Sequence, residues 1–404
     1  MTTELPKTCD VLIVGGGPAG LSAAHALRAA GAGDVHVIER EPEMGGIPRH
    51  CGHSPYGMRE FHRLMGGARY ARRLTERAYQ AGAALHCNVT VMALHPGGRV
   101  SVSGPEGLCD IQARAVLLAT GARESSRVAR FVGGTKPGGV LNTGSLQGLV
   151  YLDGLQPVRR PLIVGSELVS FSAFLTCRHA GARPVAMIEA GNRPTALWPA
   201  HWMPRVLGTP VHFNTELTQI HGKARVEAVT LRRDGVSRDI EADSVIFTGK
   251  FRPENALLRQ SHIRVDAATN GPEVDQYGRC SDPSYFAAGN VLRAIETAGW
   301  CWQEGRSVAT AILAALEDRL PDRSSAHRIS NSGDPIAYVM PQFCVTSTVP
   351  PAFEAVQLRF SRSARGTARF GAKSYRLKSR PERRITVPLL QGDTPMTLSF
   401  DEAT

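Results

Sequence analysis

The stretch Gly45-Gly46-Ile47-Pro48-Arg49-His50-Cys51-Gly52-His53 sets two imidazoles, a thiol and a guanidinium in one short loop. Imidazole titrates near neutral pH, so His50 and His53 are candidates for acid and base work, and Cys51 joins them as a candidate catalytic side chain. Arg49 has the forked geometry that orients a carboxylate. Metal binding by His50, Cys51 and His53 needs a further ligand and a shape that a tight loop rarely supplies, so no metal is expected. Simple loop-anchoring hydrogen bonds are the alternative fate of each side chain.

A second set of residues lies just upstream. Gly15-Gly16-Gly17-Pro18-Ala19-Gly20 satisfies G-x-G-x-x-G directly after the apolar run Val11-Leu12-Ile13-Val14, where a strand gives way to a helix. Gly15 makes the tight turn, Gly17 lets the backbone approach a pyrophosphate, and Gly20 lets the helix pack closely on the strand. Free N–H groups and the positive end of the helix dipole then face the anion. Glu39 ends the next strand, Val35 to Ile38, where a carboxylate accepts hydrogen bonds from ribose hydroxyls. The ligand expected here is an adenine dinucleotide; the bland alternative is an ordinary glycine turn.

The elements that carry these residues occur twice. Val11-Leu12-Ile13-Val14-Gly15 recurs as Pro161-Leu162-Ile163-Val164-Gly165, and Val35-His36-Val37-Ile38-Glu39 as Val185-Ala186-Met187-Ile188-Glu189. Ala115 to Gly121 is likewise echoed by Ser244 to Gly249. Continuous apolar runs followed by helices indicate parallel strands covered on both faces, so the fold class is α/β with two doubly wound, Rossmann-like halves. The expected division is a first nucleotide domain over 1–157 and 251–320, a second over 158–250, and a small β-rich domain over 334–404 after a polar linker. The second phosphate loop is degraded. It reads Gly165-Ser166-Glu167-Leu168-Val169-Ser170, with Glu167 where backbone should meet pyrophosphate and Glu189 as the terminal acid. A carboxylate there repels the anion unless it turns away, so NAD(P) binding is doubtful and a retained scaffold is the alternative. Arg178, Arg183 and Arg193 either suit a 2′-phosphate or are ordinary surface arginines.

Composition narrows the class. A chain of 404 residues exceeds one ordinary core, and 42% hydrophobic with 21% charged residues is globular. The best apolar stretch, Val11 to Leu27, is broken by glycines, Pro18 and His25, so no membrane span is expected, and the polar start points to the cytoplasm. Eight cysteines without C-x-x-C spacing fit reduced thiols, with neither zinc nor an iron–sulfur cluster held by this chain. The net charge of +11 is local: residues 359–384 hold ten basic residues and one acid, leaving about +2 elsewhere. No recognised nucleic-acid module accompanies them, so a nucleic-acid role is not expected.

VLIVGGGPAGLSAA, the pair Gly45-Gly46 beyond Glu39, VLLATGARE and YFAAGN together resemble the two-dinucleotide-domain flavoproteins, the glutathione reductase-like enzymes, over about Cys9 to Leu316. The resemblance implies FAD in the first site, held by Gly15, Gly17, Pro18, Ala19, Gly20, Glu39 and Arg40. It also implies that Gly45 and Gly46 run beside the flavin, and that Thr120, Gly121, Gly289 and Asn290 approach the cofactor. Asn290 stands where the family has Asp; an amide still bonds a ribityl hydroxyl. The helix opening at Thr297 and Ala298 is implied to aim its dipole at the flavin pyrimidine. Trp300 and Trp302 either wall a substrate site or pack. In the disulfide reductases of this group a C-x-x-x-x-C pair begins near Cys51; here the next cysteine is Cys87, which excludes a proximal dithiol.

GSELVSFSAFLTCRHAGARPVAMIE and SVIFTGKFRPENALLR look like the FAD-binding subunits of opine oxidases, hydroxyproline dehydrogenases and hydrogen cyanide synthase. That likeness implies an FAD-dependent oxidoreductase that relays electrons within a multi-component amine or imino acid dehydrogenase. Its partners would be a second flavoprotein and a small iron–sulfur protein, with the basic segment as a docking surface or as a solvated β face. The alternatives are a self-contained NAD(P)H-dependent flavin reductase and a non-catalytic, flavin-bound scaffold.

Overall fold

A computed structural model describes residues 4–196, 202–390 and 396–403. In the first unit β1 (Thr8–Val14), α1 (Pro18–Ala29) and β2 (Val35–Ile38) form the β-α-β step expected from the sequence, with Val11 opposite Val35 in parallel. β3 (Ala84–His86) extends the sheet, and β4 (Thr90–Leu94), β5 (Arg99–Gly104) and β6 (Gly107–Leu118) form an antiparallel meander on it. β6 changes character along its length. Its outer part pairs with β5 and alternates, whereas Ala115 to Leu118 is buried beside β1 as a parallel strand covered on both faces.

The second unit is a five-stranded parallel sheet of β7 (Val140–Asn142), β8 (Pro161–Val164), β9 (Ala186–Ile188), β10 (Val211–His212) and β11 (Ser244–Phe247), with α2 (Leu168–His179) after β8. The chain crosses into this unit before residue 158. β7 lies at its edge, and Gly133–Gly134 pairs with Thr215–His221. These runs are too short to show a strand period in the sequence. The crossing and the return lie side by side as an antiparallel ribbon, Ala122–Glu124 against Phe251–Pro253. The returning chain adds β12 (Tyr285–Ala287) beside β6 and then α3 (Ala298–Leu316), which packs along α1; Ser22 Oγ donates to Trp302 O at 2.7 Å. Both helices therefore start on the same side of the first sheet. Among the described residues, no helix is long and apolar enough to cross a membrane.

The C-terminal unit is β-rich, as its alternating runs predict. Ile336–Met340, Ala355–Phe360 and Ile385–Pro388 form one small sheet, and His327–Asn331, Met396–Glu402, Ala364–Phe370 and Lys373–Ser379 lie in another. Its first strand starts upstream of 334, inside the polar segment expected to be a linker.

A buried polar cluster joins this unit to the first. Arg293 is fully buried and donates to Gly289 O at 3.1 Å, to both Glu304 carboxylate oxygens, and to Gln357 Oε1 at 2.7 Å. Removing one partner of a buried ion pair strands the other charge. Arg293→Met is therefore expected to lower unfolding free energy by about 3–5 kcal/mol, read from the urea midpoint; an unchanged midpoint would show that Glu304 is served adequately by Arg384, 3.7 Å away.

Candidate functional site

A continuous cavity of about 2900 Å³ runs from α1 along the loop at 46–60 to α2 and the C-terminal unit. Small-ligand sites occupy roughly 300–1000 Å³, so this one holds an extended dinucleotide with room beyond it.

At one end, Gly15 has φ +111°, and a Cβ there would lie 2.5 Å from Ala119 O. Gly17 differs: its nearest neighbour to an added Cβ is Gly46 Cα at 4.0 Å, so the open side of the turn belongs to the cavity. Gly17 is the N-cap of α1, and no side chain caps the helix. Unsatisfied N–H groups thus face the cavity, as a pyrophosphate requires. Glu39 accepts from Gly16 N–H at 2.9 Å and Glu41 N–H at 3.1 Å, which fixes its carboxylate at the cavity wall with lone pairs to spare. Pro18, Ala19, Arg40, Thr120 and Gly121 line the same space, and Gly45 N–H donates to Gly16 O at 2.7 Å, tying the loop to the turn. Gly46 lines the cavity beside them.

At the far end Thr297 caps α3 without a side-chain bond, and Thr297 and Ala298 line the cavity. Gly289 lies against Ala19. Asn290 has a local task as well: its Oδ1 accepts Glu296 N–H at 2.7 Å and its Nδ2 donates to Glu296 O at 3.1 Å. Only an amide closes that two-way bond, which explains Asn where the resemblance has Asp. Trp300 is clasped between two guanidiniums, Arg59 at 3.8 Å and Arg384 at 3.7 Å from its ring centre. Trp302 has Arg306 over its ring.

The loop residues part company. Arg49 is buried and spent on Glu41 (3.5 Å) and Glu43 (3.7 Å), so it does not offer its fork to a substrate. Burial pushes the Cys51 thiol up, and its Sγ lies 3.5 Å from both Ile47 O and Gln147 Oε1, a setting for an inert thiol. Burial, then Arg49, hold His50 below the usual imidazole range. His53 is wired across the domain boundary. Its Nδ1 donates to Ser54 O at 3.1 Å, which leaves Nε2 to accept from Ser172 Oγ at 2.5 Å, while Gln147 Nε2 donates to Ser172 Oγ at 2.6 Å. Neither Gln147 nor Ser172 carries any sequence signal, because each is far from His53 along the chain. Among the described residues no His, Cys, Asp or Glu cluster suits a metal ion.

The second phosphate loop is filled from within. Glu167 is the N-cap of α2, and its Oε2 accepts from Ser170 Oγ (3.0 Å) and Thr248 Oγ1 (3.1 Å). A Cβ added to Gly165 or to Gly249 would strike this carboxylate at 2.4 or 2.3 Å, so the group wedges between the two strand ends. Burial pushes its carboxyl up. Ser166 Oγ donates to Glu189 Oε2 at 2.5 Å, matching the Gly16 to Glu39 bond of the first site. Arg193 pairs with Glu382 of the C-terminal unit at 3.1 Å.

Residues 9–305 match the model of the family described as pyridine nucleotide-disulphide oxidoreductase. The chain is 28% identical over 350 residues to a benzene 1,2-dioxygenase system ferredoxin–NAD(+) reductase subunit of Pseudomonas putida, covering 80% of each chain. It is 27% identical to an opine oxidase subunit of Rhizobium meliloti, covering 76% of this chain and 71% of that one. Among solved structures, thioredoxin reductase of T. acidophilum superposes with a TM-score of 0.63 at 20% identity, over 78% of this chain and 99% of that one. The L-proline dehydrogenase of P. horikoshii gives 0.60 at 21%, over 77% of this chain and 56% of that one. With the open glycine turn, two uncapped helix starts and the terminal carboxylate of one site in register with this family match, the chain belongs to the pyridine nucleotide-disulphide oxidoreductases and is an FAD-dependent oxidoreductase.

Proposed function

We propose that this chain is the electron-relaying FAD subunit of a multi-component amine or imino acid dehydrogenase, working with a second flavoprotein and a small iron–sulfur protein. The observation that carries the reading is Glu167, whose carboxylate wedges between the strand ends at Gly165 and Gly249, on the loop that would otherwise offer its backbone to a pyrophosphate. Arg193, of the loop after the second terminal acid, is engaged by Glu382, so among the described residues of that loop no arginine is left free for a 2′-phosphate. Electrons then enter from a donor other than NAD(P)H. The likeness to the opine oxidase protein of Rhizobium meliloti supports the same class of donor.

In this reading the N–H groups opening α1 would hold the FAD pyrophosphate across Gly17, Glu39 would take ribose hydroxyls, and the start of α3 would lend its dipole to the flavin. Bound FAD supplies acceptance of an electron pair and its release to a one-electron carrier. Ser54 O and Ser172 hold His53 in one tautomer, Nδ1 donating and Nε2 accepting, with Gln147 fixing the direction of the Ser172 hydroxyl. Arg59, Trp300 and Arg384 form one stacked wall of the cavity beside the start of α3.

Anaerobic holoenzyme is expected to keep its flavin oxidised with NADH or NADPH and to bleach when co-purified partner proteins and an amino or imino acid are supplied. Fast bleaching by nicotinamide alone overturns the proposal. It would favour the second reading, an NAD(P)H-dependent reductase, which the likeness to the ferredoxin–NAD(+) reductase of Pseudomonas putida supports.

A further inference from the structure

The basic segment resolves into two populations. Arg359 pairs with Glu296 at 3.1 Å, Arg362 with Glu402 and Asp334, and Arg369 with Asp401 at 2.9 Å, while Arg384 is half-buried against Trp300 and Glu304. Arg365, Lys373, Arg376, Lys378, Arg380 and Arg383 are exposed and form no ion pair among the described residues. Arg365, Lys373, Arg376 and Lys378 sit on the hairpin of Ala364–Phe370 and Lys373–Ser379, and Arg380 follows its last strand directly. Ala364, Ala368 and Phe370 point into the core, so the alternating positions point out.

The register then sets Arg365 directly opposite Lys378, with Thr367 opposite Arg376 on the same face. Like charges at facing positions destabilise a β pair, so fold stability does not account for them. Nor is the patch remote from the chemistry. Beyond the strand the chain runs through Arg380 into Pro381, Glu382, Arg383 and Arg384, and the last four of these line the cavity. A carrier seated on the hairpin base would sit at the cavity mouth.

We propose that the outward face of this hairpin, Arg365, Arg376, Lys378 and Arg380, docks an acidic face of the protein that exchanges single electrons with the flavin. The proposal rests on the electron-relay reading above and adds the surface and the charge of the partner. Complementary patches of this kind chiefly raise the encounter rate and lose effect as salt screens them.

The test uses two one-electron carriers of opposite charge with holoenzyme: plant-type [2Fe–2S] ferredoxin, which is acidic, and mitochondrial cytochrome c, which is basic. Each pre-reduced ferredoxin delivers one electron, so two reduce one FAD, with protons drawn from solvent; reduced enzyme returns one electron to each of two ferric cytochromes. The ferredoxin rate constant is expected to fall about tenfold or more between low salt and about 0.5 M salt. Arg365→Glu/Lys378→Glu should lower the low-salt ferredoxin rate about tenfold and raise the cytochrome c rate. Arg365→Gln/Lys378→Gln, the milder change, should fall between. Rates indifferent to the reversal, or both carriers shifted in the same direction, overturn the docking surface. So does a duplex oligonucleotide whose binding disappears in the reversed variant while carrier rates stay fixed. Calorimetric titration with oxidised ferredoxin reads docking without electron transfer: binding lost on reversal in an enzyme that exchanges no electrons would overturn the relay and leave the surface standing.

Discussion

Gly17→Val is expected to yield a folded protein without flavin. The space above Gly17 is open, with nothing nearer to an added Cβ than Gly46 Cα at 4.0 Å, and its backbone (φ −83°, ψ −173°) is one that valine adopts freely. The new β-carbon therefore meets no protein atom, and the side chain it carries enters the path of the pyrophosphate. At about 1.5–3 kcal/mol for each charge-assisted hydrogen bond lost, two such bonds weaken FAD by at least about a hundredfold. Flavin absorbance per polypeptide, together with far-UV circular dichroism and the melting temperature of the apoprotein, makes the comparison. Gly20→Val serves as the contrasting case, because its Cβ would fall 2.0 Å from Gly15 O and force α1 off β1. That variant should lose the fold along with the cofactor. A yellow Gly17→Val enzyme with full flavin content would remove the first site from the mechanism.

What could be read from residue order was whatever the chain states locally. The Gly15 to Gly20 spacing, the strand ending at Glu39 and their second copy ending at Glu189 each lie within a few tens of residues, and the period of apolar positions fixes what they form. The chemistry that residue order does not carry has the opposite cause. Arg49 has the right fork for a carboxylate, but the fold sets Glu41 and Glu43 beside it, and a paired guanidinium is no longer a receptor. Gln147, Ser172 and His53 meet only because the ribbon at 122–124 and 251–253 brings two units together, and nothing in the identity of a serine on α2 announces that meeting. Arg384 over Trp300 is a third instance, in which the C-terminal unit supplies a wall to a cavity built by residues far earlier in the chain. Asn290 is intermediate: the substitution was visible, but its reason, a two-way bond to Glu296, is a fact of loop geometry.

Glu167→Gly should open the second nucleotide fold. On the reading proposed above, the carboxylate of the parent protein excludes a phosphate by occupancy whatever its protonation, and by repulsion whenever it ionises. With a carboxylate about 5 Å from a phosphate and an effective dielectric of about 20, repulsion alone costs about 3 kcal/mol. NADH or NADPH affinity is thus expected to rise by about one to two orders of magnitude, measured by calorimetry on the holoenzyme, with faster anaerobic flavin bleaching. The fold should survive the change. Ser170 Oγ and Thr248 Oγ1 already lie 2.6 Å apart and keep each other as partners once the carboxylate is gone. Glu167→Gln separates the two causes, since it fills the same space without charge: it should recover only the part of the gain that repulsion withholds, and less than Glu167→Gly. Equal gain in both variants would make repulsion the sole barrier. Gain in neither would mean that the crevice between Gly165 and Gly249 is closed by more than this side chain, and that the carboxylate is not what keeps NAD(P)H out.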